Sequence, residues 1–404
     1  MRLLGETNRL DKAAWLLLII SGLFALSTAL SNTFVNVYLW KLKKDFALIG
    51  RYNLVNYAAM AITFIGAGRM AKRVDRVIAI RLGVALQAFF YLAVLWLGTS
   101  APRYVTLLGM FIGVGSGFFW LAYNVLYFEI TERYNRDIYN GINGLLTSVA
   151  GIVAPAVSGL VITRVDQLTG YRVIFSLSLS VFLVAVVISF MLKRRSARGI
   201  YRLRDILRLT FNRESHWYWV NLAMIAQGVR EGLFAFLISL LVYVATGSEL
   251  ALGGYLTVSS AVALISYFLV GRWMRMSWRN ESILFGAVMM GVVVLPLMWE
   301  VNTWTLIILG VGAALFYPVY MVPLTSVVFD VIGENQRTAR LRVEYVVARE
   351  LSLNTGRILS VGVFLWWIRR MPDPSEVKWL VLAVGFVQIF AWLTIRRIPL
   401  LEQE

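Results

Sequence analysis

Six side chains able to bind ions or protons stand inside stretches that are otherwise apolar. Arg230 and Glu231 interrupt the run 217–245, and Arg349, Glu350, Asn354 and Arg357 interrupt the run 343–368. A charge at the centre of a membrane helix costs at least about 2.5–3.5 kcal/mol, so each is a functional candidate by default. Arg230 and Glu231 fall near the middle of their run. Glu350, Asn354 and Arg357 are spaced i, i+4 and i+7, which puts them on one helix face with Arg357 about midway along it. Two chemistries fit this set. In one, Arg230 and Arg357 bind an anionic group while Glu231 or Glu350 takes up a proton, because burial penalises a charged carboxylate. In the other, the Arg and Glu residues neutralise one another as a buried pair or gate.

Uncharged polar stripes accompany them. Thr28, Asn32 and Asn36 repeat every four residues, and Trp120, Tyr123, Asn124 and Tyr127 share a broad face. Aromatic walls suit a partly apolar ligand, and packing between helices is the alternative. Glu129 is a further candidate proton site, whereas Glu132 with Arg133 reads as solvated loop charge. The chain has no cysteine and one histidine, His216, beside Trp217 at a predicted helix start. That excludes thiol chemistry and disulfides, and His216 reads as interfacial. No acid, base and nucleophile share a catalytic spacing, so no enzyme is expected, and no cofactor or metal site either.

The elements that must position these groups follow from composition. Of 404 residues 59% are hydrophobic and 15% charged, against about 45–50% and 25% in an average soluble domain. The apolar residues gather in twelve runs, near 14–40, 47–68, 77–98, 104–129, 139–163 and 173–192, then 217–245, 252–274, 282–299, 304–329, 343–368 and 377–396. Each is long enough to cross a hydrocarbon core of roughly 30 Å as a helix, the form that satisfies its own backbone in lipid. The sequence therefore predicts an all-α membrane protein of twelve transmembrane helices. Residues 193–216 are rich in arginine and separate an N-terminal bundle, 1–192, from a C-terminal one, 217–404.

Most Lys and Arg residues fall on alternate loops starting with the N-terminus, so both termini and the linker are expected in the cytoplasm. The formal net charge of +17 is read as loop charge that fixes topology and touches anionic headgroups, with no nucleic-acid partner. The first run lacks a small-residue cleavage site and reads as a retained helix.

The two sets of runs are related. Residues 113–123, GVGSGFFWLAY, and 310–320, GVGAALFYPVY, share Gly-Val-Gly, a central Phe and a final Tyr; GRMAKRVDR at 68–76 pairs with GRWMRMSWR at 271–279, and Gly50 with Gly253. Matches in order at nearly constant spacing indicate two duplicated six-helix halves. Parallel halves of this kind hold a site between them near the midplane and alternate its access by rocking.

Helix count, central linker and two motifs resemble the major facilitator superfamily. The family's loop after helix two is Gly, three residues, Asp-Arg, one residue, Gly-Arg. Here Gly68, Arg73 and Arg76 fit, with Lys72 at the Asp position and Asp75 at the second Gly. In the fifth helix Gly151, Pro155 and Gly159 resemble the family's antiporter motif, with Ala154 and Ser158 replacing two glycines. Small residues let backbones approach and Pro155 bends the helix, which suits an interface between halves. The resemblance implies a gating role for these positions. It also implies a cavity lined by the first, fourth, seventh and tenth helices, so Asn32, Asn36, Trp120, Tyr123, Asn124, Tyr317 and Tyr320 would face it.

The expected function is alternating-access secondary transport of a small amphipathic or anionic solute, with protons as coupling partner and efflux as the direction. No phosphate-binding Gly-rich loop is present to power a pump. A lipid-headgroup flippase and a non-transporting sensor of the same fold are the competing readings. The expected setting is a monomer in a prokaryotic plasma membrane.

Overall fold

The computed structural model describes residues 10–131, 135–165, 168–195, 199–334, 338, 340–371 and 376–398. Among them all regular elements are helical. The first half is α1 (Lys12–Lys43), α2 (Phe46–Arg73), α3 (Arg76–Leu97), α4 (Val105–Ile130), α5 (Arg136–Arg164) and α6 (Thr169–Ser189). A short α7 (Leu203–Leu209) lies in the linker. The second half is α8 (His216–Thr246), α9 (Glu249–Trp273), α10 (Arg279–Val292), α11 (Thr303–Gly333), α12 (Arg342–Arg370), α13 (Val377–Gly385) and α14 (Val387–Ile395).

Helix starts are set by side chains that accept from the free N–H groups of the first turn. Asp11, Asp45, Asp75, Ser215, Ser248 and Asn302 do this for α1, α2, α3, α8, α9 and α11. Among the described residues, eleven continuous helical stretches are long and apolar enough to cross a membrane, one of them 55 residues, Arg76–Ile130. That stretch folds back at the 3-10 turn Gly98–Tyr104, where Gly98 takes φ +50°. A Cβ on Gly83 would sit 2.6 Å from the Phe119 nitrogen, so α3 and α4 lie against each other as a hairpin. Twelve crossings result.

Two crossings expected as single helices are interrupted. The ninth runs through α10 and then a 3-10 turn, Leu295–Met298, because Pro296 has no N–H to continue the helical ladder. The twelfth breaks at Phe386 between α13 and α14. The two halves meet along α2 with α12 and along α5 with α9. The end of the molecule carrying the start of α8, the end of α2 and α7 is rich in arginine and is called the basic face below. Glu132 and Arg133 lie outside the described residues.

Candidate functional site

The charged residues are placed by a close crossing of α8 and α12. A Cβ on Gly228 would collide with the Leu353 carbonyl, one on Gly356 with the Ile225 carbonyl, and one on Gly232 would lie 2.5 Å from the Arg357 Cα. The backbones therefore touch, and the residues beside these glycines face each other. Arg357 donates to Glu231 Oε2 through Nη2 at 2.6 Å and Nε at 3.1 Å, and through Nη1 to Asn354 Oδ1 at 3.1 Å. Glu231 Oε1 accepts from Gln227 Nε2 at 2.8 Å, and the Tyr317 hydroxyl approaches it at 3.5 Å. Gln388 donates to Gln227 Oε1 at 2.7 Å, which fixes the amide so that it presents N–H to the carboxylate.

Arg230 takes a different set of partners. It is only 5% exposed, and its Nη1 donates to the Gly385 carbonyl at 2.8 Å and the Met290 carbonyl at 3.4 Å. Both carbonyls are freed by the helix interruptions: Val293 and Val294 donate to Met289 and Gly291, past Met290, and Ile389 donates to Phe386 instead of Gly385. Arg230 also lies over the Phe234 ring at 4.2 Å. No carboxylate pairs with it among the described residues. Glu350 is held by Arg349 at 2.6 Å and is 4.0 Å from Arg357.

Five of these groups line one wall of a cavity of about 550 Å³ between the halves. Gln227, Arg230, Glu231, Tyr317 and Arg357 form the polar wall, and Asn56, Tyr57, Ser116 and Trp120 face them from the first half. Arg357 lies over the Tyr57 ring at 5.6 Å, linking the halves. Met60, Phe234, Met290, Ala313 and Ala314 make the rest of the lining apolar. Two Arg against one Glu leave the lining with one surplus positive charge.

The remaining expectations are placed as follows. The cavity is lined by α2, α4, α8, α10, α11 and α12, so the expected set of first, fourth, seventh and tenth helices is only partly present. Asn32 and Asn36 do not line it; Asn36 instead accepts from Asn53 at 3.0 Å and ties α1 to α2. Tyr123 stacks in an aromatic column with Phe119 and Tyr127, and Tyr320 is fully buried against Gly286. Asn124 lines a smaller cavity of about 180 Å³ near the basic face. Glu350 and Asn354 stand behind Arg357 and are not part of the lining.

Residues 17–340 match the family model of the Major Facilitator Superfamily. The chain belongs to that superfamily. The superfamily fold recurs in solved structures: a bacterial homologue of the iron transporter ferroportin, in an outward-facing state with soaked iron, aligns with TM-score 0.66 at 15% identity, over 98% of this chain and 100% of that one. The Escherichia coli fucose:proton symporter FucP aligns with TM-score 0.65 at 17% identity, over 95% and 97%. Among curated relatives, YqgE of Bacillus subtilis strain 168 is 42% identical over 100% of this chain and 93% of its own length. A protein from the sodM 3′ region of Geobacillus stearothermophilus is 46% identical over 43% of this chain and 81% of its own. As a superfamily member the protein is a membrane-spanning secondary transporter with a small-molecule substrate.

Of the superfamily's signature positions, Gly68 and the α5 motif lie at the joints between the halves, whereas Arg73, Asp75 and Arg76 do not. Gly68 packs under Tyr201 and Val347, each 2.7 Å from where a Cβ would be. Asp75 caps α3, accepting from Val77 N at 2.7 Å, while Arg76 pairs with Glu129 at 2.7 Å and Arg73 is exposed. In α5, Gly159 and Pro155 lie against Glu249 and Gly253 of α9, and Gly151 against Ser260.

Sequence reading missed several participants. Lys72 bridges to Glu344 across the halves at 3.0 Å near the basic face. On the opposite face Lys41 bridges to Glu249 at 2.7 Å, and Tyr171 donates to the same oxygen at 2.9 Å. Gln227 and Tyr57 were also unmarked. One signal was legible: Gly228-x-x-x-Gly232 is a close-packing pattern that encloses Arg230 and Glu231.

Proposed function

We propose that this transporter carries a small anionic or amphipathic solute in the central cavity, with Glu231 as the group that binds the coupling proton. The observation that carries the reading is the Glu231–Arg357 pair inside a cavity that Arg230 leaves with a surplus positive charge. With Glu231 ionised, Arg357 is engaged by its own carboxylate. A proton on Glu231 releases the guanidinium, which then offers its planar fork to a solute carboxylate or phosphate. By linkage, solute bound to Arg357 favours the proton on Glu231 to the same degree. Solute and proton therefore travel together, and their combined gradients set the direction. Export by exchange would require them to compete for the site.

The apolar lining from Met60, Phe234, Met290, Ala313 and Ala314 supports a solute with a hydrocarbon or aromatic part. In this reading the bundles 1–192 and 217–404 rock about the linker 193–216, with the basic face in the cytoplasm of a bacterial plasma membrane. The test is flux in proteoliposomes with a pH-sensitive dye inside and a panel of anionic and amphipathic compounds outside. Compound-dependent proton movement that vanishes in Glu231→Gln supports the reading. Binding without flux in folded protein would make the chain a sensor instead, and movement that survives in Glu231→Gln would remove Glu231 as carrier.

A further inference from the structure

The two joints between the halves differ. Along α2 and α12, Gly50 packs under Leu365 and Phe364, and Gly68 under Val347, in one register from end to end. Along α5 and α9 the corresponding packing runs from Gly159 against Glu249 through Pro155 against Gly253. It continues with Thr257 donating to the Ile152 carbonyl at 2.9 Å and ends at Gly151, 3.2 Å from Ser260. The same register would next set Gly144 opposite Ile265 and Gly141 opposite Phe268. Instead a Cβ on Gly141 or Gly144 meets nothing within 4 Å, and Ile265 and Phe268 are 58% and 65% exposed. The split begins near the middle of both helices and extends toward the basic face.

The axial exit on that face is held shut beside it. Lys72 bridges to Glu344, Phe128 of α4 packs on Phe329 of α11 at 5.7 Å, and Arg342 lies over Phe128 at 4.6 Å. One helix, α11, borders both the split and the cavity: it packs on α9 and lines the cavity with Ala313, Ala314 and Tyr317. Leu315 follows the cavity-lining Ala314, is 40% exposed, and its carbonyl accepts from Ser266 of α9 at 2.5 Å, inside the divergent stretch. The described residues of the gap walls, 140–151 and 260–271, carry no charge, whereas Arg272, Arg275 and Arg279 follow at its foot.

From this geometry we infer that the solute is a single-tailed amphipathic anion that reaches the cavity sideways, from the leaflet at the basic face, through the opening between α5 and α9. This rests on the reading of Arg230 and Arg357 as an anion site and specifies what the anion is attached to. The headgroup passes the arginines at the foot and settles at the surplus positive charge. The tail stays in the apolar split, in contact with hydrocarbon, so the headgroup alone is drawn from water. A water-soluble anion would gain nothing from an uncharged lateral slot, and a closed axial exit would exclude it.

The chain has no cysteine, so a single reporter carries no background. Gly144→Cys labelled with bimane reports the gap, and Val149→Cys, exposed and five residues along the same helix so that it is turned away from α9, reports the lipid side. The probe is dodecyl phosphate with a nitroxide at the tail end, titrated into proteoliposomes, with unlabelled dodecyl phosphate and methyl phosphate as competitors. Quenching at Gly144→Cys should saturate, reverse with excess dodecyl phosphate but not methyl phosphate, and weaken about tenfold in apparent affinity with Arg357→Gln. Quenching at Val149→Cys should rise linearly and ignore competitors. Ile265→Cys, on the other wall, should repeat the Gly144→Cys pattern and replaces it if that variant folds poorly. Linear, competitor-insensitive quenching at both walls would overturn the lateral route. Competition by methyl phosphate equal to that by dodecyl phosphate would overturn it too, while leaving the anion site intact. No effect of either phosphate, together with no anion-driven flux, would remove the anion site and this inference with it.

Discussion

At the scale of single residues the Arg–Glu set does two separate jobs. Arg357 and Glu231 form a mutual pair, 15% and 25% exposed at the side chain. Removing one partner of such a pair leaves an uncompensated buried charge, at a cost of about 3–5 kcal/mol. Arg357→Gln should therefore lower the thermal midpoint in detergent, and Glu231→Gln/Arg357→Gln should recover most of it while still failing to move solute. A double variant no more stable than the worse single one would show that the pair is not a unit. Arg230 stabilises the interrupted helices by donating to two freed carbonyls. Arg230→Met should cost about 1.5–3 kcal/mol per lost charged hydrogen bond, read as a fall in thermal midpoint, besides any loss of anion affinity. The sequence marked these residues because charge in an apolar run is rare. It left open whether they bind a solute or one another, since partner choice depends on which helices cross.

At the scale of elements, glycine decides where side chains meet. Gly228, Gly232 and Gly356 let α8 and α12 touch, and Arg357 follows directly after Gly356. Gly356→Ala must push the helices apart or bend them, an overpacking cost of about 1–3 kcal/mol. It should lower both thermal midpoint and flux, because Arg357 shifts relative to Glu231. Gly362→Ala, on the same helix with open space around its Cβ position, should leave both unchanged; equal losses in the two variants would refute the contact argument. Helix positions were readable from apolar runs to within a few residues. The interruptions at Pro296 and Phe386 were less so: hydrophobicity continues through them, and the breaks are supported by Arg230, from another helix, which donates to the exposed carbonyls.

For the whole molecule, ion pairs fasten the halves on both faces. Lys72 to Glu344 closes the basic side and Lys41 to Glu249 the other. Alternation requires each to break in turn. Glu249→Gln should raise labelling of Ala313→Cys by an impermeant maleimide added from the face opposite the basic one. The rise should be no more than about fivefold, since Lys41 is partly solvated. The exchange Lys41→Glu/Glu249→Lys should bring labelling back down. Unchanged labelling in Glu249→Gln would show that the pair does not hold that face closed.

The sequence by itself determined the membrane, the twelve crossings, the repeat and the family. The membrane and the crossings follow from composition and run length, because lipid forces helices and length fixes spans; the repeat follows from matched segments in order, and the family from its resemblance in helix count, linker and two motifs. It also singled out Arg230, Glu231 and Arg357, since burial of charge is costly wherever the chain goes. The tertiary structure decided which of them pair, that Asn32, Asn36, Tyr123 and Tyr320 lie outside the cavity while Asn56, Tyr57 and Gln227 line it, and that one joint between the halves is closed while the other is split. Those outcomes depend on helix rotation and crossing. These are set by contacts between residues such as Gly253 and Pro155, or Lys72 and Glu344, that are distant along the chain and carry no mutual signal in their order.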